Sequence, residues 1–152
     1  MNTLKIQQDL LAAAMRSRGA DSTGSVRWQN DPHGRGICLF HRAYVGYFIQ
    51  PRDLYLNLTM LPTFDKPLPY GFACLEVNRI KPTSEVQLFP NNRKVRVFQG
   101  GKGRTGIDQA LLRHFDKETM KLYQLEPQGP ILVVERQHAE DITVGIVMPC
   151  RI

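Results

Sequence analysis

Short runs of β-branched and aromatic residues, each closed off by glycine, proline, asparagine or aspartate, recur along most of this chain. They constrain the fold more than any other feature. "SVRWQN", "GICLFHR" and "AYVGYFI" read as three strands, with "NDPHGRG" as the turn between the first two. In the middle, "DLYLNLTML", "YGFACLEVNRI" and "SEVQLF" read as further strands around a proline-rich loop, "PTFDKPLP". "MKLYQL", "PILVVER" and "DITVGIVMP" complete the series near the end. Many short strands joined by tight turns predict an antiparallel sheet with polar alternation on one face.

Two segments depart from that rhythm. After a short strand in "TLKI", residues 3–6, the run "QQDLLAAAMRSR" is rich in helix formers and predicts a helix over 7–18. Leu10, Leu11, Ala14 and Met15 form its apolar stripe and Gly19 stops it. In "KVRVFQGGKGRTGIDQALLRHF", a strand at 94–99 leads through a glycine-rich basic loop to a second helix at about 106–115. Ile107, Ala110, Leu111 and Phe115 fall at helical spacing, with Thr105 as N-cap and Asp108 three residues on. Strand, helix, then antiparallel strands is thus an order met twice. The expectation is an α+β fold, a single domain over 1–152 with two helices packed on one face of antiparallel sheet. Its halves, about 1–50 and 94–152, are joined by a strand-rich middle.

At 152 residues and 42% hydrophobic, the chain can bury one sizeable core. Lysine and arginine number 20 against 14 acids, a net charge of +6, which favours an anionic partner. Only Cys38, Cys74 and Cys150 carry thiols, each among apolar residues, which fits a reducing, cytoplasmic setting better than a disulfide framework. No apolar run approaches the roughly 20 residues that span a bilayer, so no membrane association is expected.

The glycine-rich loop is not a phosphate-cradling P-loop, because Lys102 precedes Gly103 where that loop needs lysine followed by serine or threonine at the helix start. Cys38 and His41 form a C-x2-H pair without the second pair a zinc site wants. No nucleophile elbow, zinc-protease helix or paired acidic motif nominates a catalytic residue. A binding protein that is not an enzyme, without cofactor or metal, is expected. Gln87-Leu88-Phe89 is a weak echo of short peptides that bind sliding clamps, and reads better as a strand end before a turn.

Residues 106–152 carry the most specific pattern: Leu111-Leu112, the charged "DKETMKLYQL", Gly129-Pro130-Ile131-Leu132-Val133, the acidic "HAED", and a terminal Val147-Met148-Pro149-Cys150-Arg151-Ile152. In element order and terminus this resembles the last part of the bacterial DNA polymerase III beta subunit, the sliding clamp. The resemblance implies a single DNA-clamp-like domain serving DNA replication, with helices facing the DNA. It further implies that Arg16, Arg18, Lys102, Arg104 and Arg113, in or beside the helices, touch duplex backbone without reading sequence. Val147, Met148, Pro149 and Arg151 match the clamp terminus that helps line a cleft for clamp-binding peptides. A ring built from single-domain chains would require a homo-oligomer. The alternative is a basic module binding RNA or a protein partner, and a small phosphate-handling enzyme would rest on the loop alone.

Overall fold

The computed structural model describes residues 1–16, 26–64 and 72–152. Among them one α-helix and nine strands are found: α1 (Thr3–Arg16), β1 (Val26–Asn30), β2 (Ile37–His41), β3 (Val45–Ile49), β4 (Arg79–Phe89), β5 (Arg93–Gly100), β6 (Gly103–Asp108), β7 (Lys121–Gln124), β8 (Ile131–Gln137) and β9 (Glu140–Val147). The strands form one antiparallel sheet in the order β1-β2-β3-β9-β8-β7-β4-β5-β6. β1–β3, β5 and β7–β9 fall where the alternation and turn residues put them.

The arrangement of two helices on a sheet is overturned. Residues 103–108 pair in register with β5, from Gly100 opposite Gly103 to Val95 opposite Asp108. "GGKG" is therefore a hairpin turn, with Gly103 at φ 133°, a conformation that glycine tolerates and other residues resist. Thr105, the expected N-cap, is a buried strand residue. After β6 the chain makes only a 3-10 turn at Gln109–Leu112, whose cap is Asp108, accepting from the Ala110 amide at 3.0 Å. The physical reason is competition: Thr105, Gly106 and Ile107 are weak helix formers, and a full ladder to β5 satisfies their backbone better than one short helix would. With no helix at 106–115, the second strand–helix–strands order fails.

Other local expectations change too. "TLKI" opens α1 instead of forming a strand, because the Asn2 side chain accepts from the Lys5 amide at 3.0 Å and caps the helix. "DLYLNLTML" follows a 3-10 turn at Pro51–Asp53 and holds another at Leu58–Met60, and of the described residues of "YGFACLEVNRI" only Arg79 and Ile80 enter a strand. The buried stripe of α1 is Ile6, Gln7, Leu10 and Ala13, whereas Leu11 and Met15 are exposed. Gln7 sets that rotation. Buried beneath the helix, its Nε2 donates to the carbonyls of Thr3 (3.0 Å) and Asp53 (2.8 Å), and its Oε1 accepts from the amides of Tyr55 (2.6 Å) and Leu56 (3.2 Å).

Both faces of the central strands are covered, so their sequences read as continuous apolar runs. On one face, Leu39, Tyr47, Ile49, Ile131, Val133 and Val147 pack with Ile6 and Leu10 of α1 and with Phe115. On the other, Cys38, Phe40, Phe48, Leu132 and Ile146 pack with Phe64, Phe72 and Cys74. Glu135, 1% exposed, accepts from the Asp116 amide at 2.7 Å and pairs with the Met1 ammonium at 2.8 Å, so this buried carboxylate is satisfied. Both ends of the sheet are covered as well. Trp28 of β1 bridges to Thr63 in parallel, and the Cys150 amide donates to the Gly106 carbonyl of β6 at 2.8 Å, strapping the segment after β9 across β6.

Gly145 lies between Tyr47 and Val133, and a methyl group there would sit 2.5 Å from Phe115 Cζ and 2.8 Å from the Gly46 carbonyl oxygen. Gly145→Ala is therefore expected to destabilise the fold by about 1–3 kcal/mol. Urea unfolding measures it. Adding Phe115→Leu should recover part of the loss, and two purely additive penalties would show that the clash is not with that ring.

Candidate functional site

Two basic clefts stand out. The first, about 620 Å³, lies between α1 and the sheet, where Lys5, Asp9 and Arg16 of the helix face His41 at the end of β2, Tyr47 of β3, and Arg113 and His114. Phe115 holds the last two in place by packing beside Tyr47, ring centroids 5.4 Å apart, over Gly145. His41 and Cys38, the pair considered for metal, point to opposite faces of β2: Cys38 is fully buried among aromatics and His41 opens into the cleft.

His114 Nε2 stands 3.0 Å from Asp9 Oδ2 and 3.3 Å from Arg113 Nε. One nitrogen cannot donate to the carboxylate and accept from the guanidinium in a single tautomer. The shorter, carboxylate contact is the hydrogen bond, which leaves Arg113 free for other partners. Asp9 also meets Lys5 at 3.6 Å, so the acid is shared between an ammonium and an imidazole N–H. Burial, then the charges of Arg42, Arg113 and Arg16, push the His41 pKa down. Burial and Arg113 do the same to His114, against an opposing pull from Asp9. Burial raises the Tyr47 phenol to about 12, so it stays a neutral donor.

The second cleft, about 440 Å³, opens between β4, β5 and the segment from Gln109 to Leu122. Arg79, Lys81, Arg96, Lys117 and Lys121 line it beside Phe98 and Met120, and among the described residues no carboxylate does. Arg96 is built in by its bond to the Thr83 carbonyl at 2.8 Å. Arg79 and Lys121 lean on Glu76 (3.6 Å) and Asp141 (3.3 Å) outside the cleft. The side chains of Lys81 and Lys117 have no hydrogen bond or ion pair among the described residues.

The residues expected from sequence divide. Arg16 and Arg113 meet in the first cleft. Lys102 and Arg104 lie on the β5–β6 hairpin, where Lys102 donates to the Leu125 carbonyl and Arg104 pairs with Glu85. Arg18 lies outside the described residues. Of the tail, Val147 is fully buried in β9, Met148 donates its amide to the Tyr44 carbonyl at 2.8 Å, Pro149 is half-buried and Arg151 is exposed. Sequence reasoning missed Arg79, Lys81, Arg96, Lys117 and Lys121, which three strands and a loop bring together with no spacing in common. The surviving signal was "NRIK" and "KVRV", two strands dense in cations and poor in acids.

No family model, curated protein or solved structure matches the chain, so the functional reading rests on these residues themselves.

Both cleft histidines have folded pKa values below their ordinary one. In that window the unfolded chain binds more protons, so their contribution to stability is complete above about pH 6.5 and falls as pH drops toward the lowered folded values. The expected loss is under about 1 kcal/mol per histidine after solvent screening. Urea unfolding at about pH 7.5 and about pH 5.5 should show a smaller difference for His41→Gln with His114→Gln than for the parent protein.

Proposed function

We propose that this protein is a non-enzymatic DNA-associated protein that grips the phosphate backbone without reading base sequence. What supports the reading is the second cleft: five cations converge there, with no acid in the lining among the described residues. Lys81 and Lys117, having no partner inside the protein among the described residues, can exchange solvent counterions for phosphates at no structural cost. Phe98 and Met120 add an apolar wall against which a sugar or base can rest. The chemistry is that suggested by the clamp-like terminus, but with only α1 present among the described residues the geometry of paired helices facing a duplex does not carry over. Replication in a reducing cytoplasm belongs to the same proposal, which the free thiols of Cys38, Cys74 and Cys150 support. No helix among the described residues is long and apolar enough to cross a membrane.

Lys81→Ala, Lys117→Ala and Lys121→Ala together should weaken duplex binding and reduce the slope of log affinity against log salt by up to about three. Lys102→Ala with Arg104→Ala should act less per residue, because both cations already have partners in the protein. Fluorescence anisotropy with two unrelated duplexes measures all of this. Absence of binding at low salt, or strong preference for one duplex sequence, would overturn the proposal.

A further inference from the structure

The first cleft differs from the second in kind. It is a pocket roofed by a helix, and its volume of about 620 Å³ is that of a small-molecule site. Its cations are arranged asymmetrically. Asp9 is occupied by Lys5 and His114, whereas Arg16 and Arg113 have no carboxylate partner among the described residues. His41, half-buried between them, makes no side-chain hydrogen bond among the described residues. Two guanidiniums without a carboxylate partner beside an unpartnered imidazole make a donor-rich set, and Asp9, the one acid in the lining among the described residues, is already engaged.

We propose that this cleft is a binding site for a small phosphate monoester in its dianionic form. Arg16 and Arg113 supply planar forks for the terminal oxygens and His41 donates a further hydrogen bond when protonated. The organic part of the ligand lies against Leu10, Ala13 and Tyr47. The inference is independent of the nucleic-acid reading, since it uses none of the residues that line the second cleft.

The electrostatics agree with the geometry. Arg42, Arg113 and Arg16 bear on His41, while Arg113, Lys5 and Asp9 bear on His114, whose ring also stands edge-on to Tyr47. Apart from Asp9, these charged groups are cationic and disfavour protonation of the rings. A bound dianion reverses that local field, so binding and proton uptake at His41 are linked and each favours the other.

The test tracks the ring proton resonances of the histidines by NMR through a pH titration, with and without millimolar sulfate, then inorganic phosphate and glycerol 3-phosphate. Sulfate keeps a fixed charge over this range and isolates the protein's own titration. All three anions should raise the His41 midpoint, and sulfate affinity should fall as pH rises. Arg16→Gln with Arg113→Gln should lower affinity at least about tenfold, the equivalent of about 1.4 kcal/mol. Arg136→Ala, on the exposed end of β8, should leave it unchanged. His41→Gln should keep binding but lose most of the pH dependence. An unmoved His41 midpoint at saturating anion, an equal shift in the double arginine variant, or undiminished pH dependence in His41→Gln would each overturn the proposal.

Discussion

Phe115 occupies the space that a side chain at position 145 would need, and much of the molecule depends on that contact. Its ring edge lies 2.5–2.6 Å from where a Cβ on Gly145 would be, so only glycine lets the ring press onto the backbone of β9. Because Phe115 also packs beside Tyr47 and its amide donates to the Leu112 carbonyl at 3.1 Å, the contact seats the whole segment from Gln109 to Phe115 on the sheet. Gly46, paired with Ile146 on the neighbouring strand, plays the matching role on the opposite face. There a Cβ would come within 2.8 Å of Phe40. Two aromatic rings thus clamp β3 and β9 from either side, and the dispersion gained depends on both glycines having no side chain.

The central strands β2, β3, β8 and β9 are shaped by having both faces buried. A sheet in that state cannot leave an edge bare without inviting a second chain, and here each edge has its own cover. At β1, Trp28 does this twice: its amide donates to the Pro62 carbonyl at 3.2 Å, and its indole N–H reaches the carbonyls of Leu58 and Leu61. At β6 the cover is the tail. Ile152 lies over Gly106, whose missing side chain makes room for it, and Arg93 both pairs with Asp108 at 2.9 Å and reaches Cys150 Sγ at 3.4 Å. The Met-Pro-Cys-Arg-Ile ending is therefore part of the scaffold, whatever else its exposed Arg151 meets.

These dependences explain which parts of the fold were legible in the sequence. β2, β3 and the first part of β8 could be read because they are apolar runs, and the β1–β2 turn because it carries glycine where the backbone is left-handed, at Gly34 and Gly36. The stretch after the glycine-rich turn could not. Ile107, Ala110, Leu111 and Phe115 satisfy a helical period, yet Ile107 is buried as a strand residue and Phe115 as the anchor over Gly145. A periodicity over ten residues does not distinguish one helix from a strand and a turn in succession when tertiary contacts supply the difference. The middle misled for a related reason: the apolar residues of "DLYLNLTML" pack on the core from 3-10 turns, with their backbone bonded to Gln7 and Trp28 instead of to a strand. The sites were legible only as charge. Arg16 and Arg113 carried a signal as cations near helices, but their convergence depends on the turn that replaced the second helix.

That turn is also the wall between the two clefts. Gln109 and Leu112 face the cleft with Lys81 and Lys117, while Arg113 and His114 face the one under α1. The segment is pinned at one end by Asp108, which caps it and is itself held by Arg93, and at the other by Phe115. Between those pins the chain changes sides within one peptide unit, so consecutive residues serve different clefts. Charge alone would drive the two clefts apart, because cationic surfaces on either side of the wall repel each other. Leu112, buried in the core with Phe115, supplies the opposing force, since moving either cleft's cations apart would expose apolar surface worth about 25 cal/mol per Å². The basic clefts are thus held in place by the apolar residues between them.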